Sequence, residues 1–325
     1  PITIMGSTNR AVGTVLDRRT NAADVVTISG NHVVLANLTV RGGRYGVSLL
    51  SVSAGQVERV VAASNTVGFR AQATFNERFV RCASAFNGTG LEVFSTGSGN
   101  AWDQGVLFSN TTAIVQPAAN GVSVSNSVIA GPTAFGKAPQ AADFNLYSVG
   151  DLGDTLKDIS DLQRRSGTAF QSSSGNPQFA DPAGLDFAPR SMTGRVTPAG
   201  AVVTDLVHSV LIDMGDPARV MTNELAPNGG RMDVGLWGDN PNNSRSLTNP
   251  WIYCVSYNDG GDLRGTGTLY WTGGGFTNGT TVTVDYSPDA GVTWSNVAAG
   301  VLATNRVVTW VATGAVSSLR SRWRV

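Results

Sequence analysis

The side chains able to do chemistry in the first third of the chain are six scattered acids: Asp17, Asp24, Glu58, Glu77, Glu92 and Asp103. Glycoside hydrolysis needs two carboxyl groups facing one another across a cleft, roughly 5 to 9.5 Å apart. Asp103 with Glu92 or Glu77 is the pairing that could meet this demand. His32 and His208 stand in no metal-ligand spacing, and no Gly-x-Ser-x-Gly, phosphate-binding loop or zinc motif occurs. The leading expectation is therefore a protein without catalytic residues, with Asp103, Glu92 and Glu77 as the alternative site.

Two acidic turns offer oxygen ligands. Asn258-Asp259-Gly-Gly-Asp262 and the pair Asp213 and Asp216 could hold calcium, yet neither has the alternating acids and final Glu of a dedicated loop. Ordinary Asx turns explain them, and no cofactor is expected. Asn37, Asn87, Asn110, Asn242 and Asn278 begin Asn-x-Ser/Thr sequons. Six of the seven tryptophans follow residue 230. Exposed indoles could stack on sugar rings, whereas buried ones would pack a small domain.

The element that must position these residues is a repeat. Asn65-Thr-Val-Gly68-Phe69 returns 22 residues later as Asn87-Gly-Thr-Gly90-Leu91, and Gly43-Arg-Tyr-Gly46-Val47 precedes it by one period. Apolar positions keep the same phase: Leu35, Val57, Phe79; Leu38, Val60, Cys82; Val47, Phe69, Leu91. A unit this short, built of β-branched runs punctuated by Gly and Asn, suits one coil of a parallel β-helix. Arg70 and Glu92 share an outward column, predicting an ion pair one coil apart, and Arg59 and Arg81 share another, with Glu58 or Glu77 relieving their like charges. Coils are expected over residues 1 to about 131. The wider step from Gly90 to Gly121 predicts about nine extra residues in a loop near Gly99–Gly105, a candidate site.

Residues 151–166 carry Leu152, Leu156, Ile159 and Leu162 at helical spacing, acids first and Arg164 and Arg165 last, predicting a helix beside the coils. From about Trp251 the pattern alternates. Residues 280–286 and 307–311 read as strands, with a turn at Ser287–Gly291. The expected fold class is all-β: a right-handed parallel β-helix with a short helix and closing segment over 1–248, then a small antiparallel β-sandwich over 249–325.

Lys plus Arg and Asp plus Glu both number 23, and charged residues make up 14 % of the 325. Neither a nucleic-acid footprint nor a polybasic membrane-binding segment is present. No apolar run of 18 residues forms a membrane span. Two cysteines, Cys82 and Cys254, make no disulfide framework, and Cys82 occupies a core column.

Several stretches resemble secreted bacterial right-handed parallel β-helix proteins. Pro1-Ile-Thr-Ile-Met-Gly6, Thr14-Val-Leu-Asp17 and Val33 to Gly43 look like an early coil. Ile159–Gln163, Asn176–Phe179, Asp186-Phe187, Ile212–Pro217 and Glu224–Gly235 resemble the closing segment of that group, and Ser287–Trp294 resembles a strand-turn-strand of immunoglobulin-like modules. The resemblance implies a bacterial extracellular or cell-surface location. A lyase of the group would place an acidic calcium cluster and a basic residue on one coil face, while the group also includes hydrolases, adhesins and structural proteins. It also implies a cap before the first coil. The sequence shows none before Pro1, which leaves two expectations: an open coil edge that could recruit another copy, or a chain that is part of a longer polypeptide. The expectation is a non-catalytic structural or adhesive protein, a self-assembling subunit of a surface layer or filament. The alternatives are a secreted polysaccharide lyase or glycoside hydrolase, and a carbohydrate-binding module.

Overall fold

The computed structural model describes residues 2–8, 13–94, 97–117, 121–263, 265–315 and 318–325; Pro1 of the opening segment lies outside them. The all-β expectation holds: about six turns of a parallel β-solenoid lead to small antiparallel sheets. Each coil lays its strands on the preceding one in the register of the sequence repeat. Leu35 pairs with Val57, Val57 with Phe79, and Phe79 with Trp102. Val47, Phe69, Leu91 and Ile114 form a second column. All eight are at most 1 % exposed. Stacking such columns removes apolar area from water along the whole axis, at roughly 25 cal/mol per Å².

Polar ladders hold the corners. Asn65, Asn87 and Asn110 are buried, and each accepts the backbone N–H of the preceding coil while its own amide reaches a backbone carbonyl. Buried polar groups that are fully bonded in this way add specificity rather than cost. Another corner bends through residues in the left-handed region: Asn37 (φ 57°), Arg59 (50°), Arg81 (53°), Gln104 (53°) and Asn126 (50°) recur coil after coil. A single left-handed residue turns the chain sharply between two strands.

Three features differ from the sequence reading. Gly90 is followed in register not by Gly121 but by Ala113, since Leu91 pairs with Ile114 and Thr89 with Thr112. The coil between them is of ordinary length, so the expected nine-residue loop does not exist. Ala101–Asp103 is a strand within the stack, bonded to Arg78–Val80 and Ser123–Ser125. Strand pairing also continues past residue 131, through Leu146–Gly153 to Ser173–Ser174. The predicted helix shortens for the same reason. Residues 151–153 extend a strand paired with Thr133 and Phe135, and helix α1 spans only Ile159–Ser166. Asp158 caps it by accepting from Asp161 N, and Gly167 ends it at φ 66°. Ile159 and Leu162 join the solenoid core, so α1 packs on the coil stack as expected.

Beyond α1 the chain folds back along an outer coil face. Phe179, Phe187, Leu211, Val234 and Leu236 cover outward Ala83, Ala85, Val106 and Val128 in a second core. Trp251–Cys254, Thr266–Gly274 and Val307–Val311 then make one three-stranded antiparallel sheet, and Ser295–Leu302, Thr281–Ser287 and Arg322–Arg324 another. They enclose Leu269, Trp271 and Val284. Ser287, Asp289 and Thr293 knit the turn between two of these strands through side-chain hydrogen bonds. Among the described residues, no helix is long and apolar enough to cross a membrane.

Candidate functional site

Where the closing segment stops short of the first coils, a groove of about 610 Å³ remains. One wall is the coil face with Thr39, Arg59, Val61 and Arg81; the other carries Leu185, Trp237, Asn240 and Asn242. The local fold explains the walls. Val61 belongs to the outward column continued by Ala83, Val106 and Val128, which the closing segment covers from Ala83 onward. Arg59 and Arg81 sit at the left-handed corner, one coil apart.

The charges in this groove are matched. Arg59 Nη2 lies 2.6 Å from Glu58 Oε1. Arg81 Nη2 donates to the Asp239 carbonyl at 3.3 Å and stands 3.9 Å from its carboxylate. Burial, then the neighbouring Arg59, draws the Arg81 guanidinium down from its ordinary value. Asp186 meets Arg195 at 3.7 Å. The pairing of Arg59 with Glu58 follows the sequence reading; the partner of Arg81, Asp239, 158 residues away, could not be read from the repeat. An indole, amide side chains and guanidinium groups around an apolar strip can bind a ligand that presents both hydroxyls and C–H faces.

The three candidate catalytic carboxylates are each engaged elsewhere. Glu92 pairs with Arg70 at 3.3 Å across adjacent coils, and the Arg70 guanidinium stacks over Tyr45. Glu77 is buried at a coil corner and accepts Gly55 N at 3.1 Å; burial pushes its carboxyl up, partly offset by that hydrogen bond. Asp103, 4 % exposed, accepts from Ser125 Oγ at 2.8 Å and from Asn126 Nδ2 at 3.2 Å, and pairs with Arg219 at 2.9 Å. The structure places them in three separate networks, none lining the groove.

The calcium candidates also separate. Asp259 Oδ2 accepts Ile159 N at 2.6 Å, tying the C-terminal sheets to the start of α1, and burial raises its carboxyl. Asp262 lines a different cleft beside α1. Asp216 forms an Asx turn to Ala218 N, and Asp213 is wholly buried. Among the described residues, no three His, Cys, Asp or Glu side chains converge as a metal-ligand set. Two sequons, Asn87 and Asn110, are core ladder residues; Asn278 is exposed. Cys82 and Cys254 are free thiols, and burial pushes them up to about 12 and about 11.

Sequence reasoning missed a buried acid cluster behind the groove wall. Glu224 Oε1 accepts the N–H groups of Asp233 (2.9 Å) and Asp239 (2.8 Å). Asp233 Oδ1 in turn accepts Asp213 N at 3.2 Å, and Asp213 Oδ1 accepts Gly229 N and Ser246 Oγ. Asp233 and Asp213 are 0 % exposed. The sequence signal was present in part, because Asp233 sits between apolar Met232 and Val234 in a turn-rich stretch.

Compared with models of known protein families the chain matches none, and no curated protein matches it either.

Proposed function

We propose that this chain is a non-catalytic adhesive β-helix protein of the bacterial cell exterior whose groove holds a neutral carbohydrate. The observation that carries the reading is the groove itself: Trp237 and two amide side chains face a coil wall whose arginines are already ion-paired. A sugar ring offers apolar C–H faces to an indole and hydroxyls to amides and guanidinium groups. Matched charges favour an uncharged ligand, since an acidic polymer would have to compete with Glu58 and Asp239 for the two guanidinium groups. The extracellular setting rests on the resemblance of the closing segment and on composition.

Retention on a panel of immobilised neutral and acidic polysaccharides tests this. The protein should be retained by a neutral glycan, and Trp237→Ala should weaken that retention about tenfold or more, as loss of a central aromatic anchor does. Retention by acidic polymers alone, or equal binding by Trp237→Ala, would overturn the reading.

A further inference from the structure

Three carboxylates, Glu224, Asp233 and Asp213, are linked head to tail through backbone N–H groups, and Asp213 Oδ2 and Glu224 Oε2 are buried without a hydrogen-bond partner. Neither oxygen is bonded by a nearby cation. Arg231 donates to the Met214 and Gly215 carbonyls and Arg306 Nη2 to those of Gly229 and Gly273, while Arg306 Nε has no partner. Both guanidinium groups favour the Asp213 anion, but burial outweighs them. Asp239 faces Arg81 of the coils, and Asp216 is held by Asn126 through its backbone N–H. A buried carboxylate with one oxygen unbonded is costly as an anion and far less so with a proton on that oxygen.

The cluster joins three parts of the molecule. Glu224 ties both ends of residues 233–239, the turn that carries Leu236 and Trp237 in the groove wall. The Asp213 carbonyl accepts Thr272 Oγ1 of the C-terminal sheets at 2.9 Å, and Arg306 crosses from the same sheets to Gly229. We infer that Glu224, with Asp233 and Asp213, is a proton-held clasp: protonated, it pins the groove wall and the C-terminal sheets to the closing segment, and it loosens them as it ionises.

Burial, opposed by the two N–H donors, sets Glu224 at about 7 instead of 4.5, and burial also raises Asp213 and Asp233. The folded state therefore holds protons that the unfolded state has released between about pH 4.5 and 7. Stability from this source is full at the acid end of that window and is lost as pH rises through it. His208 slopes the opposite way, so the test is a difference between two proteins. Glu224→Gln keeps the accepting oxygen and puts a permanent donor where the proton sits.

Melting temperatures of the wild type and Glu224→Gln should agree at about pH 5 and diverge by about pH 8, the variant melting several degrees higher. The same offset at both pH values would overturn the clasp. A second measurement on the wild type alone guards against a misfolded variant. Hydrogen exchange, corrected for its intrinsic pH dependence, should show residues 224–246 and 266–274 losing protection relative to the coils at the higher pH; uniform protection would overturn the proposal. The clasp needs no ligand, so its test stands apart from the carbohydrate reading.

Discussion

Asn65 and Asn87, 22 residues apart, are consecutive rungs of one buried ladder: the backbone N and Nδ2 of Asn65 donate to Asn87 Oδ1 at 2.8 and 3.2 Å. The identity that makes the repeat visible in the sequence is thus the group that holds the corner. Asn87 also donates to Ala62 O and Ser84 Oγ. Asn87→Ala would orphan donors and acceptors on both sides. A loss of about 3 kcal/mol is expected, read by chemical denaturation; a loss near zero would mean that the ladder is ornamental.

Trp102 is wholly buried in the solenoid core, with ring centroids 5.4 Å from Phe69 and 5.8 Å from Phe79. Rigid strands on every side limit collapse into the space it would leave. Trp102→Ala should cost about 4 kcal/mol, and Trp102→Phe clearly less. Denaturation midpoints of the two variants check the order.

His208 is half-buried, neither ring nitrogen has a hydrogen-bond partner, and burial pushes it down to about 4. Unfolded, it takes its proton near 6.5. The unfolded state then binds more protons between those values, so its contribution destabilises acid conditions and stability rises as pH climbs from about 4 to 6.5. His208→Phe should remove that slope. The melting temperature of the wild type relative to the variant, followed across the window, checks it.

Arg70 and Glu92 meet at 3.3 Å on the outer face, with side chains 18 % and 25 % exposed. Solvent still screens such a pair. A double-mutant cycle on Arg70→Ala and Glu92→Ala should give a coupling below about 1 kcal/mol. A value of several kcal/mol would assign the pair a role beyond surface matching.

Much of the solenoid was legible because its period is written in side chains that touch: Leu35, Val57 and Phe79 stack as their spacing requires, and Arg70 finds Glu92. The error at Gly99–Gly105 came from treating glycine as the marker of the coil. Ala113 takes the place of Gly90 and Ala134 that of Ala113, so Gly121 lies outside the column and counting to it created a loop that the strands do not contain. The helix was overextended because Leu152 and Leu156 also satisfy a strand edge and a turn. The groove and the acid cluster lay beyond reach for a different reason. Trp237 and Arg59 line one groove, and Glu224 meets Asp233, which meets Asp213, only because an aperiodic segment folds back on itself and on the coils, and no local pattern encodes which face that segment covers.

The central claim is binding without turnover at the groove. The most direct measurement titrates the best-retained neutral oligosaccharide into the protein while the same samples are assayed for new reducing ends and unsaturated products. Saturable heat that disappears in Trp237→Ala, with the oligosaccharide recovered intact, is the predicted result. Cleavage of the sugar that survives in Trp237→Ala, or the absence of any saturable heat, would contradict it.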